Sequence, residues 1–242
     1  MKPTKTIHTS RTIMFEEFSK VMDHSVHNDS YLESLSQNVI NKKTKSGIIK
    51  TTGYLTSLYF FDIYCHSFTA LKYFWGISEE KDKPILALLF AIGQDYLLEE
   101  SIPVVVGFKL GDKVQAEKLK ENIESLHPSR FSVESVSAIV RRLISSWKQS
   151  GYIVGKMKNI RTQPDISYIV VAFAFLMAYL NDLRGDFILT SKWVKSLALH
   201  EGVLREQIMQ AAQRDLVEYQ YAGNVMTISF KNLFKKLPID GF

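Results

Sequence analysis

The chain has 242 residues, 46% of them hydrophobic and 23% charged, with 30 Lys+Arg against 25 Asp+Glu for a net charge of +5. That composition excludes a disordered or low-complexity chain and allows one large core or two smaller ones. The single cysteine, Cys65, excludes an internal disulfide and a thiolate zinc cluster, and points to a reducing, cytoplasmic setting.

In chain order, residues 1 to about 10 read as frayed. The opening MKPTKTIHTSRTIMFEEF lacks the apolar stretch of a secretory signal. A helix is expected over 11–27 with Ile13, Met14, Phe18, Val21 and Met22 on one side. Ser30 would cap a second helix from Tyr31, with Leu32, Leu35, Val39 and Ile40 inward. The basic loop 41–47, ending at Gly47, carries Lys42, Lys43 and Lys45, with Lys50 just beyond, and reads as solvated or as a secondary phosphate contact. Tyr54, Tyr59, Phe60, Phe61, Tyr64, Phe68, Tyr73, Phe74 and Trp75 follow among aliphatics at helical spacing, which predicts core rather than a stacking platform. Pro84 suits the first turn of ILALLFAIGQDYLL.

Residues 101–114 fit either a short strand or a buried loop. Residues 115–126 predict an amphipathic helix with Leu119, Ile123 and Leu126 inward. Ser132 caps a long helix, 132–150, whose Val136, Ile139, Val140, Leu143 and Trp147 form one inward stripe. Gly151 ends it, and YIVGKMK with NIRTQ reads as a small hairpin stopped by Pro164. The longest apolar run, Tyr168–Leu180, has 13 residues. It falls short of the roughly 20 that span a bilayer and predicts a buried central helix, so no membrane partner is expected. Ser191 caps a short helix through Leu199, a turn at 200–202 leads to a helix over 203–214, and LVEYQYAGNVMTISF is a hairpin turning at AGN.

The fold class is therefore mainly α with small β-hairpins, divided at 1–112, 113–165 and 166–242. Helix, turn, helix and hairpin occur twice, over about 115–165 and 186–235, an order that resembles the winged helix-turn-helix superfamily. The resemblance implies a helical N-terminal part followed by tandem winged-helix-like units. It also implies a recognition helix in the major groove of double-stranded DNA with a hairpin on the backbone beside it.

The first unit has the charge for this. Residues 131–165 contain Arg141, Arg142, Lys148, Lys156, Lys158 and Arg161 against Glu134 and Asp165, a local +4 within the +5 of the whole chain. The outer helix face offers Ser137, Arg141, Ser145 and Lys148, flanked by Arg142 and Gln149. Arg141 suits a bidentate contact to guanine, and Lys156, Lys158 and Arg161 suit phosphates. The alternatives are a solvated surface or an acidic protein partner. The second unit, nearly neutral on its helix and without a base in its hairpin, suits a protein partner or homodimer contact through 186–235.

Phosphate-loop, dinucleotide, zinc-protease and serine-hydrolase motifs are all missing. His24 and His27, with Asp23 beside them, read as a helix-end pair rather than a metal site. Glu79–Glu80 and Glu99–Glu100 lack the separated environments of an acid–base pair. No enzyme activity, cofactor or metal is expected. The expected function is a non-catalytic DNA binder, either a transcription regulator or an accessory subunit of a DNA-handling complex such as phage defence. The alternative is a protein-interaction adaptor using the same units as a scaffold.

Overall fold

The computed structural model describes residues 5–222 and 225–237; the chain is mainly helical, with two antiparallel strand pairs among them. Helix α1 (Phe15–Ser25) starts later than expected because Met14 takes φ 51°, a left-handed turn that no helix runs through. Ile13 and Met14 are buried all the same. Helix α2 (Tyr31–Ser36) packs on α1 and stops early, where Asn38 takes φ 56°. Leu32, expected inward, is 65% exposed.

The expected basic loop is shorter than drawn. Thr44 accepts a hydrogen bond from Gly47 N at 3.0 Å, so α3 (Lys45–Tyr59) starts at Lys45 and runs through the glycine. Helices α4 (His66–Ile77) and α5 (Lys83–Gln94) follow, with Pro84 in the first turn of α5. Their rings close with those of α1: Phe18 stacks on Tyr59 at 3.6 Å and meets Trp75 edge-on at 5.2 Å, while Phe68 meets Phe90 edge-on. The aromatic cluster is thus core. Phe60 and Tyr64 are the exceptions, 39% and 86% exposed in the link between α3 and α4. Asp23 accepts from Trp75 Nε1 and Lys83 Nζ, and His24 bonds Ser34, so these two serve packing, while His27 is exposed.

Residues 101–114 resolve into helix and extended edge. After α6 (Tyr96–Glu100) comes α7 (Ile102–Gly107), with Pro103 in its first turn, and then an extended segment with an isolated bridge from Lys113 to Ile160. Helices α8 (Ala116–Leu126) and α9 (Val133–Gln149) pack together and lead into β1 (Ile153–Val154) and β2 (Ile160–Arg161). Leu126, expected inward, ends α8 half exposed. Strand β2 lies in the middle, paired with β1 on one side and with Lys113 on the other.

Helix α10 (Tyr168–Leu180) is buried at every residue from Ile169 to Ala178 and touches α4, α5 and two later helices, α11 (Lys192–Ser196) and α12 (Glu201–Ala212). It is the axle of the fold, as its unbroken apolar sequence requires. A 3₁₀ turn, Gly185–Ile188, precedes α11 and lies along β4 (Val225–Ser229), which pairs with β3 (Glu218–Ala222). The AGN turn of that hairpin falls on Gly223 and Asn224, outside the described residues. Helix α13 (Lys231–Phe234), not expected from sequence, is capped by Glu218, whose carboxylate accepts from Lys231 N and Asn232 N at 2.8 Å. No helix among the described residues is long and apolar enough to cross a membrane.

Candidate nucleic-acid interface

The candidate interface is built on α9. Ser132 accepts from Ser135 N at its start, and the expected apolar stripe, Val136 to Trp147, is buried. Trp147 donates to Ser101 Oγ at 2.8 Å and meets Tyr152 edge-on at 5.1 Å, which fixes both the helix and the hairpin behind it.

A second face of α9 is covered as well, and here the structure corrects the sequence reading. The chain from Ile7 to Phe15, part of which was expected to be frayed, runs across it. His8 and Asp95 are both fully buried, with His8 Nδ1 2.9 Å from Asp95 Oδ2 and His8 Nε2 2.9 Å from Ser146 Oγ. Asp95 also accepts from Thr6 Oγ1, Ile7 N and Leu98 N. Burial alone would raise the Asp95 carboxyl, but His8 beside it and these amide donors hold it below the ordinary carboxylate value. An Asp–His–Ser chain sealed from solvent has no route for a substrate; its chemistry is that of a clasp.

Gln149 belongs to the same covered face. Its Oε1 accepts from Phe15 N at 2.9 Å, and its Nε2 donates to Thr12 Oγ1 at 3.0 Å and to Ser145 Oγ at 3.3 Å. Arg142, half-buried, directs a guanidinium nitrogen to the His8 carbonyl. Gln149 and Arg142 thus hold the N-terminal segment, and Ser145 supports Gln149, instead of standing free on an outer face.

Arg161 is the largest correction. Expected on phosphate, it is only 1% exposed, because β2 is the central strand and turns this side chain inward against Ile153. Its guanidinium donates to the Tyr152 and Thr162 carbonyls, approaches Gln163 Oε1 and lies over the Tyr152 ring. Burial pushes its pKa down, and no carboxylate among the described residues pairs with it. Arg161→Met should therefore cost under about 2 kcal/mol, since it fills the same space without a buried charge. Arg161→Ala should cost roughly 3–4 kcal/mol by leaving a cavity. Equal losses in urea unfolding would show that the guanidinium's hydrogen bonds, not its volume, hold the hairpin.

What remains outside is compact. Ser137, Arg141 and Lys148 fall at i, i+4 and i+11, one stripe of α9. Ser137 Oγ is turned back to the Val133 carbonyl, Arg141 is exposed, and Lys148 Nζ donates to Gly155 O at 2.7 Å, tying α9 to the hairpin loop. Lys156 and Lys158 are exposed on that loop. Glu134, exposed in the first turn of α9, is the acid nearest the stripe in sequence, and Asp165, beyond the hairpin, is drawn away by Lys81 at 2.6 Å.

Lys113 joins this group and was missed from sequence. It is exposed on the edge segment held to β2 by Val114 N to Asn159 O at 2.7 Å and Arg161 N to Asp112 O at 2.9 Å. Its signal was faint: a Gly–Asp turn pair followed by a lysine, with a strand partner more than forty residues on.

In the second unit the cation on the outer side of α12 is paired. Arg205, on the outer side of α12, is bound by Glu201 at 2.9 Å and covers Tyr221 at 4.0 Å. Among the described residues no group of three or more His, Cys, Asp or Glu is placed to hold a metal ion. Compared with protein-family models, curated proteins and solved structures, the chain matches none of them.

Proposed function

We propose that this chain binds double-stranded DNA without catalysis through α9 and the β1–β2 hairpin, with tandem winged-helix units as its scaffold. The order of elements supports the scaffold. Helix α7, an extended edge, α8, α9 and the hairpin run in the sequence of a winged helix, with the edge beside the second hairpin strand. Helix α10, the 3₁₀ turn, α11, α12 and the β3–β4 hairpin repeat it, and the turn again lies beside the second strand.

The observation that carries the function is charge without neutralisation. Arg141, Lys156, Lys158 and Lys113 are exposed, and none of them has an ion pair among the described residues. Elsewhere Lys20, Lys42, Lys72, Lys81, Lys83, Lys118, Lys120 and Lys192 are each within reach of a carboxylate, while Lys43, Lys45, Lys50, Lys109, Lys195, Lys231, Lys235 and Lys236 are exposed without an ion pair among the described residues. What sets Arg141, Lys156, Lys158 and Lys113 apart is their grouping on α9, the hairpin loop and the edge bridged to β2, and such a group of cations suits a polyanion.

The second unit is assigned to contact with a protein or with another copy of the chain. The Arg205 cation of its α12 is already paired, and Phe187, Val203, Met209 and Tyr221 are exposed on it. A role as regulator or as accessory subunit of a DNA-handling complex fits both halves.

The test is binding to a labelled random duplex followed by anisotropy across a salt series. With about four phosphate contacts, the slope of log K against log salt should be roughly −3 to −4. Absence of binding at low salt, or binding indifferent to salt, overturns the reading. A stable partner retained after nuclease treatment, together with no duplex binding, would favour the adaptor role.

A further inference from the structure

The loop between Val154 and Ile160 places an apolar side chain where solubility alone would not put one. Met157 is 93% exposed, more than any other large hydrophobic residue described. Lys156 and Lys158 stand on either side of it, both exposed and without an ion pair among the described residues. This tip is mounted on a stiff base. Gly155 takes φ 96°, and any side chain there would collide with the Lys158 carbonyl, so the turn is tight. Lys148 holds the Gly155 carbonyl at 2.7 Å, β2 is hydrogen-bonded along both edges, and Arg161 is buried beneath. The position of Met157 relative to α9 is therefore set by the fold.

We propose that Met157 is a wedge that enters a base step from the minor groove, so that the chain bends the duplex it binds; this rests on the DNA-binding reading above. With α9 in the major groove and the hairpin on the backbone beside it, the tip of the loop is within reach of the neighbouring minor groove. That groove is about 6 Å wide and walled by phosphates on both sides, which suits two lysines flanking one unbranched side chain. A thioether is polarizable and flexible enough to lie against base faces. Apolar wedges of this kind unstack a step and kink DNA, and the bend brings flanking phosphates onto basic groups. A lone methionine offers too little apolar surface to hold a bilayer, whereas a base step takes a single side chain.

The test uses the full chain and a short A·T-rich duplex with 2-aminopurine at its centre and a dye pair on its ends. Saturating parent protein should raise the 2-aminopurine fluorescence and shorten the end-to-end distance. Met157→Ala, which removes no packed atoms, should still bind, about three- to tenfold more weakly, and leave both signals at the free-duplex level. If the parent binds and both signals stay flat, or if Met157→Ala matches the parent, the wedge is wrong while DNA binding stands. If the parent fails to bind any duplex, the DNA reading falls and the wedge falls with it. Parent protein sedimenting with phosphatidylglycerol vesicles, and losing that with Met157→Ala while the duplex stays straight, would make the tip a membrane element and overturn the proposal.

Discussion

Asp95→Ala is expected to lower the free energy of unfolding by about 3–5 kcal/mol at neutral pH. The carboxylate is fully buried, caps α6 through Leu98 N, and receives Thr6, Ile7 and His8 from the other end of the chain. Its removal leaves several donors and a histidine ring without an acceptor, each in a place water does not reach, and an unmet buried donor costs about 1–3 kcal/mol. The loss also frees the segment that covers α9, and Ser146→Ala, which leaves both His8 Nε2 and the buried Ile13 N without their shared partner, should cost about 2–3 kcal/mol. The pH dependence has a definite sign. The folded Asp95 pKa lies below its ordinary value of 3.8, so its contribution is complete above that value and fades as pH falls through the folded one. Urea unfolding of parent and Asp95→Ala should thus differ most at neutral pH and converge in acid. A neutral-pH difference under about 1 kcal/mol would mean the N-terminal segment is held by Ile7 and Ile13 packing, not by the clasp.

The contrast between Trp147 and Arg161 shows what periodicity can reach. The α9 stripe was legible because five apolar residues at helical spacing define an inner face without help from the rest of the chain. Arg161 was not. Its burial depends on β2 having a second neighbour at Lys113, and a two-residue strand does not announce that it is central. Gln149 fails for the same reason at longer range. The residue that uses its carbonyl, Phe15, is 134 positions away, and nothing in the local pattern separates a polar face open to water from one covered by a returning segment. Local pattern therefore located the helix, the hairpin and the charge excess. Tertiary pairing then divided the expected binding residues into those that remain outside, Arg141, Lys156 and Lys158, and those spent on the fold.

Removing those three cations together should weaken duplex binding by roughly 10²–10³-fold near 0.1 M salt, because each lost phosphate contact returns about 0.9 of a counterion to the DNA. The same arithmetic makes the log–log salt slope of Arg141→Ala/Lys156→Ala/Lys158→Ala shallower by about 2.7 than the parent's. Affinity and slope must change together; a loss of affinity at constant slope would indicate damage to shape instead of charge. Stability should be unaffected, since all three side chains are exposed and none has an ion pair among the described residues. The matched control is Lys195→Ala/Lys231→Ala/Lys235→Ala, which removes the same charge from exposed positions on the second unit. General attraction between a +5 chain and a polyanion would respond equally to both variants. A localised interface responds to the first and changes under about threefold with the second. Equal losses would disperse the binding over the surface and remove α9 and its hairpin from the contact, even if the chain binds DNA.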